Sequence, residues 1–239
     1  VLILISMYIQ LNLEDTDAFK ALVDNKGIQS DENIKKSPVI EAIKKYPKRI
    51  FLAAGAFLSV QVTFYILIAF MLAYGVTSAN MARDDMLAAV LIASAIMVPI
   101  QFVFSSYSDR HGRKGIFMLG AVLTGIWAFA IFPLVDTGNF YLIVLAITGG
   151  LVFLAMMYGP QAAFFTELFS TEVRYSGATL GYQFGAIVGG AFAPTIAVKL
   201  WTEFDIIWVS AYIALASLLT LISVMALTET YQSDLNNTD

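Results

Sequence analysis

Six long apolar stretches follow one another along most of the chain, and short polar segments separate them. A helix needs about 20 mostly apolar residues, at about 1.5 Å of rise per residue, to cross the hydrocarbon core of a bilayer. Each stretch meets that requirement. We therefore predict a six-helix transmembrane bundle over residues 50–227, with spans at approximately 50–74, 86–105, 116–135, 141–166, 178–200 and 206–227.

The residues before this bundle follow a different pattern. The apolar run at 1–13 is too short to span a membrane and starts at Val1 without an initiator Met, which predicts the truncated end of a preceding transmembrane helix. Residues 14–49 are polar and predict a linker with two short amphipathic helices, one over 17–23 and one beginning at Pro38. An ordinary solvated loop is the alternative. Residues 228–239 form a polar tail.

The composition supports a membrane protein. Hydrophobic residues make up 59% of the 239 residues, charged residues only 13%, and the mean hydropathy is +0.75. Soluble domains carry roughly 25% charged residues, so a water-soluble fold could not bury this much apolar surface. We therefore predict a lipid bilayer as a partner of the chain.

The basic residues lie on one side of the predicted bundle. All of the 14 lysines and arginines except Arg83 and Lys199 fall in segment 14–49, in loop 109–115 or at Arg174. Basic residues accumulate in cytoplasmic loops of membrane proteins. We therefore expect segment 14–49 and the tail at 228–239 to be cytoplasmic.

The loop after the second predicted span carries a specific pattern. Asp109 and Arg113 are four residues apart and can pair on one helical turn, and Gly112 permits a tight reversal between antiparallel helices. Three basic residues, Arg110, Arg113 and Lys114, could simply determine topology. The combined order D-R-x-G-R-K is less easily explained by chance.

This loop resembles the signature G-x-x-x-D-R-x-G-R-[RK] of the major facilitator superfamily, with Ser105 in place of the first glycine. The segment from Glu167 to Arg174 resembles the E-x6-R loop of the same superfamily, and a spacing of seven would return both residues to one helix face. The resemblance implies a cytoplasmic charge cluster that stabilises the outward-facing state. Its predicted members are Asp109, Arg110, Gly112, Arg113, Lys114, Glu167 and Arg174.

Two further runs, 158–164 and 174–194, are similar to the metabolite:proton symporter family within that superfamily. Members carry organic acids, shikimate-like acids or zwitterionic osmolytes such as proline and betaine. The resemblance implies helices 7 to 12 of a twelve-helix fold, preceded by the end of helix 6. It also implies a missing N-terminal six-helix half, a small-molecule substrate, protons as coupling ion and a bacterial inner membrane.

Polar residues inside the spans are candidates for a substrate cavity. Gln61 and Tyr65 share one helix face, as do Tyr158 and Gln161, and the resemblance places these pairs on the cavity-lining helices 7 and 10. Gln183 would face the cavity rather than lipid. Hydrogen bonds to neighbouring helices are the alternative role for the two pairs.

Small residues and a proline mark helix packing. Gly177, Gly181, Gly185 and Gly189 recur every four residues, a spacing that lets a second helix approach closely. Pro160 removes one backbone hydrogen bond and predicts a kink, which could act as a gate or be static.

The spans lack ionisable chemistry. No Asp, Glu, Lys, Arg or His lies near the middle of a span, the single histidine, His111, lies in a loop, and the chain has no cysteine. An intramembrane enzyme would need a nucleophile with a base, or metal ligands, within a span. These absences argue against an intramembrane enzyme, and the resemblance implies a secondary transporter without cofactor, metal or nucleic-acid partner. A uniporter, a sugar-porter-like carrier and a non-transporting scaffold are the alternatives.

Overall fold

In the computed structural model, the protein is described at residues 7–8, 38–170 and 173–229. The predicted helix end at 1–13, apart from two residues, and the predicted short helix at 17–23 lie outside these residues. The described part is helical almost throughout. From Pro38 onward the described residues form seven helices: α1 (Pro38–Lys45), α2 (Pro47–Thr77), α3 (Arg83–His111), α4 (Arg113–Asp136), α5 (Phe140–Glu167), α6 (Arg174–Glu203) and α7 (Ile206–Ala226).

Helices α2 to α7 are the six predicted spans, and each is long and apolar enough to cross a membrane. This confirms the predicted six-helix bundle. Several helices extend beyond the apolar stretches, most clearly α3, which continues to His111. Hydropathy locates only the part of a helix that lies in hydrocarbon, whereas backbone hydrogen bonds continue through the polar end turns.

The helices pack in an arc whose order differs from their order in the chain. Helix α5 lies between α3 and α4, α7 lies between α4 and α2, and α6 packs on the other side of α2. Helices α2 and α5 also contact each other across the inside of the arc. Helices α3 and α6 form its two ends and are the least buried of the six spans.

Side-chain hydrogen bonds join α2 to α7 inside the bundle. The hydroxyls of Ser59 and Ser217 lie 2.9 Å apart, and the Thr220 hydroxyl accepts from the Ser59 amide and donates to the Gly55 carbonyl. Ser59, Ser217 and Thr220 are at most 2% exposed. Buried polar groups in a membrane bundle need such partners, because lipid offers none.

Glycines bring α6 close to α2. A Cβ atom added to Gly181 would lie 2.7 Å from the Ala53 side chain, and one added to Gly185 would lie 2.7 Å from the Ala54 carbonyl oxygen. At Gly189 the Leu58 carbonyl oxygen would be 3.1 Å away. Three of the four predicted ridge glycines thus face α2 in the structure. Gly177 instead lies against the Phe169 ring in the loop before α6.

Two π-helical turns interrupt the α-helical spans. One covers Ile66–Phe70 in α2, and the other covers Ala186–Ala191 in α6, directly after Gly185. A π turn adds one residue to the helical repeat, so it rotates the face that the following residues present. Both turns lie beside Tyr65, which immediately precedes the first of them and contacts Gly190 in the second.

Helix α5 passes through Pro160 as one continuous helix from Phe140 to Glu167. The neighbouring Gly159 explains how closely α5 approaches α3, since an added Cβ would lie 2.9 Å from the Gln101 carbonyl oxygen. A gating role for Pro160 stays a prediction.

Candidate functional site

A cavity of about 600 Å³ lies between the two ends of the helix arc. Helices α2, α3, α5 and α6 all contribute to its wall, and we call it the central cavity. Most of its lining is aliphatic or aromatic. Its larger polar side chains are Gln61 and Tyr65 from α2, Gln101 from α3, Tyr158 from α5 and Tyr182 from α6.

A second pocket, of about 360 Å³, adjoins the central cavity and shares Gln101, Tyr158 and Tyr182 with it. It reaches the last turn of α5 and the first turn of α6, where Thr166 and Tyr175 line it. Gln161 belongs to this wall and is only 4% exposed. Its side-chain oxygen has no hydrogen-bond donor in the described part of the chain. A buried, unpaired acceptor of this kind is unusual and suits a site that receives a ligand.

The structure places four of the five predicted cavity residues on these walls. Gln61, Tyr65 and Tyr158 line the central cavity, and Gln161 lines the adjoining pocket. Gln183 is exposed and belongs to neither lining, whereas the preceding Tyr182 belongs to both. Successive residues of a helix differ by about 100° in direction, so one position decides which side chain faces the cavity.

Gln101 also lines the cavity and is not among the predicted residues. It is a lone carboxamide in an otherwise apolar stretch of the second span, between Ile100 and Phe102, and that isolation was the available signal. Tyr182 carried a weaker signal, since it lies between Gly181 and Gln183 in a span with several polar residues. Contact of any of these residues with a solute stays a prediction.

Neighbouring residues hold two of the cavity tyrosines in place. The Tyr182 ring lies 4.3 Å from the Phe57 ring, measured between centroids. The Tyr65 ring packs against Gly190, where an added Cβ would lie only 2.8 Å from ring carbon Cε2. Each of Tyr65, Tyr158 and Tyr182 keeps between 37% and 39% of its surface exposed. The rings are therefore positioned but still open to a bound molecule.

A second feature lies where α3 meets α4 and α5 ends. The Arg113 guanidinium donates from Nη1 to Asp109 at 2.8 Å and from Nε to Glu167 at 2.7 Å. The Arg113 and Glu167 side chains are 12% and 18% exposed, whereas the Asp109 side chain is 57% exposed. One planar cation thus joins the ends of three helices, and its partly buried contact with Glu167 is the less screened of the two.

Gly112 lies between the last residue of α3 and the first residue of α4. Its φ is 100° and its ψ is 152°, a backbone conformation that residues other than glycine avoid because of their Cβ atom. This single residue therefore permits the sharp reversal that brings Asp109 and Arg113 together. The geometry agrees with the turn that the sequence predicts at this position.

The residues after α7 add contacts that the sequence pattern does not predict. The Glu229 carboxylate accepts from the backbone amides of Arg113 at 3.2 Å and Lys114 at 3.1 Å, the first two residues of α4. The Lys114 ammonium donates to the carbonyls of Met225 at 2.9 Å and Leu227 at 2.7 Å. A carboxylate at a helix N-terminus and a cation at a C-terminus both complement the helix dipole.

The loop between α5 and α6 corrects one expectation. Glu167 ends α5 and Arg174 begins α6, so the two residues do not share a helix face. The chain leaves the helix after Glu167 because it must reverse direction to begin the next span. Arg174 donates from Nε to the Phe169 carbonyl at 3.4 Å, and Arg49 of α2 donates to the Leu168 carbonyl at 2.9 Å. We call Asp109, Arg113, Lys114, Glu167 and Glu229 the charged cluster.

Arg110 and Arg174 are the two other arginines that the sequence predicts for this cluster. Arg110 is exposed in the last turn of α3, and Arg174 is partly buried at the start of α6. Their exact contribution to the cluster stays a prediction.

Comparison with known proteins identifies the family. Residues 2–180 match the Major Facilitator Superfamily. Over 98% of the chain, it is 28% identical to the inner membrane metabolite transport protein YhjE of Escherichia coli, of which it covers 53%. It is 29% identical over 90% of its length to the shikimate transporter of the same organism, covering 48% of that protein. It is 28% identical over 87% of its length to the E. coli proline/betaine transporter, covering 42%.

The chain spans about half the length of the curated relatives it matches. This agrees with the prediction of one six-helix half of a twelve-helix fold. The family and these relatives are transporters rather than enzymes. The family match covers three-quarters of the chain, and it agrees with the six spans and with the D-R-x-G-R-K turn at Gly112. The chain therefore belongs to the major facilitator superfamily.

Proposed function

We propose that this chain supplies one half of a secondary active transporter that carries a small organic solute together with protons by alternating access. The solute class is an organic acid or a zwitterionic osmolyte, the two classes to which the named solutes of its relatives belong. In such transporters, two six-helix units move against each other around a site near the middle of the membrane. The missing unit would be the N-terminal half predicted from the sequence.

The central cavity is the observation that carries this proposal. Its volume of about 600 Å³ lies within the range of about 300–1,000 Å³ typical of small-molecule sites. Its wall is apolar with a few polar groups, a composition typical of pockets that orient a small ligand. It lies between α3 and α6, the least buried spans, so a second six-helix unit packed on them would enclose it.

The charged cluster supports the alternating-access part of the proposal. Its contacts join the ends of α3, α4, α5 and α7, so they couple the positions of four spans at one membrane surface. We propose that this surface is cytoplasmic and that the cluster stabilises the outward-facing state. The concentration of basic residues there supports the orientation.

We expect the residue that binds the coupling proton to lie outside the central cavity of this chain. None of the described residues that line the cavity is Asp, Glu, Lys, Arg or His. A proton-binding carboxylate is the usual coupling group in a membrane transporter. We therefore expect that group in the preceding half.

Uptake into proteoliposomes tests the function. The protein as it is encoded, including any sequence before Val1, is reconstituted and offered radiolabelled shikimate, proline and glycine betaine with and without an inward proton gradient. We expect accumulation of at least one solute only with the gradient. Equilibration at the same rate without a gradient would instead indicate a uniporter, and no uptake of any small organic solute would contradict transport.

A cavity variant provides the matched control for this assay. Gln101→Leu removes a polar group from the cavity wall, whereas Phe102→Leu changes the next residue, which is 71% exposed on the outside of α3. We expect the first variant to slow uptake and the second to leave it unchanged.

A further inference from the structure

Three tyrosines from three different helices line the central cavity. Tyr65 lies on α2, Tyr158 on α5 and Tyr182 on α6, so their rings approach the cavity from three directions. The face of an aromatic ring carries partial negative charge and attracts cations, and sets of such rings recognise quaternary ammonium groups. We call these residues the tyrosine set.

The remaining polar groups of the wall are uncharged. Gln61 and Gln101 line the same cavity, and each carboxamide offers two N–H donors. The adjoining pocket adds the buried Gln161, whose unpaired side-chain oxygen is an acceptor. No described residue that lines either space carries a formal charge.

This wall discriminates between the two solute classes of the proposed function. A solute whose only charge is a carboxylate would bring a net negative charge against ring faces that repel it, without a cation from this half to compensate. A zwitterion has no net charge. Its ammonium end can lie on the ring faces, and its carboxylate can accept hydrogen bonds from the glutamine amides.

We propose that this cavity binds a zwitterionic ammonium solute, with Tyr65, Tyr158 and Tyr182 around the ammonium group and Gln61 and Gln101 beside the carboxylate. The inference rests on the proposed transport function and specifies the ligand of the same cavity. The fixed ring positions support it. The Tyr182 ring packs against the Phe57 ring at an interplanar angle of 34°, and Tyr65 packs against Gly190, so the two rings are held before the ligand arrives.

Two ligands of the same shape test the ammonium preference. Glycine betaine and the anion of tert-butylacetic acid differ in one atom, because a carbon replaces the positively charged nitrogen. Binding of each to the purified protein as encoded is measured by isothermal titration calorimetry. We expect glycine betaine to bind at least about tenfold more tightly, since a desolvated cation–π contact is worth roughly 1–2 kcal/mol. Equal affinity, tighter binding of the anion or no binding of either would overturn the inference.

Paired substitutions test the role of the rings. Tyr182→Phe keeps an aromatic face, whereas Tyr182→Leu removes it. Tyr158→Phe and Tyr158→Leu repeat the comparison at a position where the ring contact with Phe57 is not disturbed. We expect both leucine variants to weaken glycine betaine binding about tenfold and both phenylalanine variants to retain most of it. The thermal midpoint without ligand reports any folding defect. Equal losses for the two ligands, or equal losses in Phe and Leu variants, would overturn the ring assignment.

Uptake measured on the same preparations separates this inference from the proposed function. Binding of glycine betaine without any uptake would overturn transport and leave the ligand assignment standing. Uptake of shikimate with no binding of glycine betaine would overturn the ligand assignment and leave transport standing.

Discussion

Arg113 shows how one side chain can join three helices. Its planar guanidinium reaches Asp109 and Glu167 at the same time, while its backbone amide donates to Glu229. The contact with Glu167 is more protected from water than the contact with Asp109, so Coulomb attraction is stronger there. The two carboxylates should therefore contribute unequally to the charged cluster.

Removing the Arg113 guanidinium should shift the proposed conformational equilibrium. Arg113→Ala removes the partly buried bond to Glu167, worth about 1.5–3 kcal/mol, and the exposed bond to Asp109, worth about 0.2–1 kcal/mol. We therefore expect the inward-facing state to become at least tenfold more populated. The measurement is the rate of maleimide labelling of a cysteine introduced at Thr166, which lines the adjoining pocket, with all other cysteines replaced. Labelling at an unchanged rate would contradict the stabilising role.

Substitution of the two carboxylates refines this prediction. Glu167→Gln should speed labelling more than Asp109→Asn, because the Glu167 side chain is 18% exposed and the Asp109 side chain is 57% exposed. Arg113→Lys should give an intermediate rate, since an ammonium cannot reproduce the guanidinium fork. Equal effects of the two carboxylate variants would mean that burial does not decide their contributions.

Glu229 makes a testable contribution at the start of α4. Glu229→Gln removes a negative charge from two backbone amides at a helix N-terminus, so we expect a loss of about 0.3–1 kcal/mol and a fall in thermal midpoint of about 1–4 °C in detergent. Glu203→Gln is the matched control, because Glu203 pairs only loosely with Lys199, at 3.9 Å on an exposed surface. A larger loss in the control would reject the proposed capping role.

At the scale of elements, the pairing of α2 with α6 determines the shape of the central cavity. Gly181, Gly185 and Gly189 allow the two helices to approach closely, and a π turn in each helix lies beside Tyr65. Between helices in a membrane, such close packing replaces the hydrophobic driving force that operates in water. Widening this interface should therefore displace Tyr65 and Tyr182 together.

A side chain at Gly185 should separate these helices. In Gly185→Ala the new Cβ would lie 2.7 Å from the Ala54 carbonyl oxygen and 2.8 Å from Phe57 Cβ, so the backbone must move. We expect a loss of about 1–3 kcal/mol, measured as a lower thermal midpoint, together with weaker solute binding. Gly115→Ala is the control, because no atom lies within 4 Å of its added Cβ. A similar loss at Gly115 would show that the effect is not one of packing.

At the scale of the whole molecule, the bundle is asymmetric along the membrane normal. One end carries Arg49, the charged cluster and Arg174, whereas Thr137 and Asn139 lie at the opposite end in the short turn between α4 and α5. Basic residues are retained on the cytoplasmic side during insertion. This asymmetry leads to the proposed orientation.

Cysteine labelling tests that orientation. The chain has no native cysteine, so His111→Cys and Asn139→Cys can each report one end of the bundle, once any cysteines before Val1 are replaced. We expect a membrane-impermeant maleimide added to intact cells to label the second variant and to label the first only after permeabilisation. The reverse pattern would contradict the proposed orientation.

The sequence by itself determined the class of protein, the number of spans and the reversal at Gly112. Long apolar runs and a glycine between helices are local signals, because the bilayer constrains each span separately. Only the tertiary structure decided that Tyr182 faces the cavity rather than Gln183, and that α2 and α6 contain π turns. It also revealed Glu229 on the Lys114 amide, 115 residues away in the chain. Such features depend on helix rotation and on contacts between distant residues, which hydrophobic patterning does not encode.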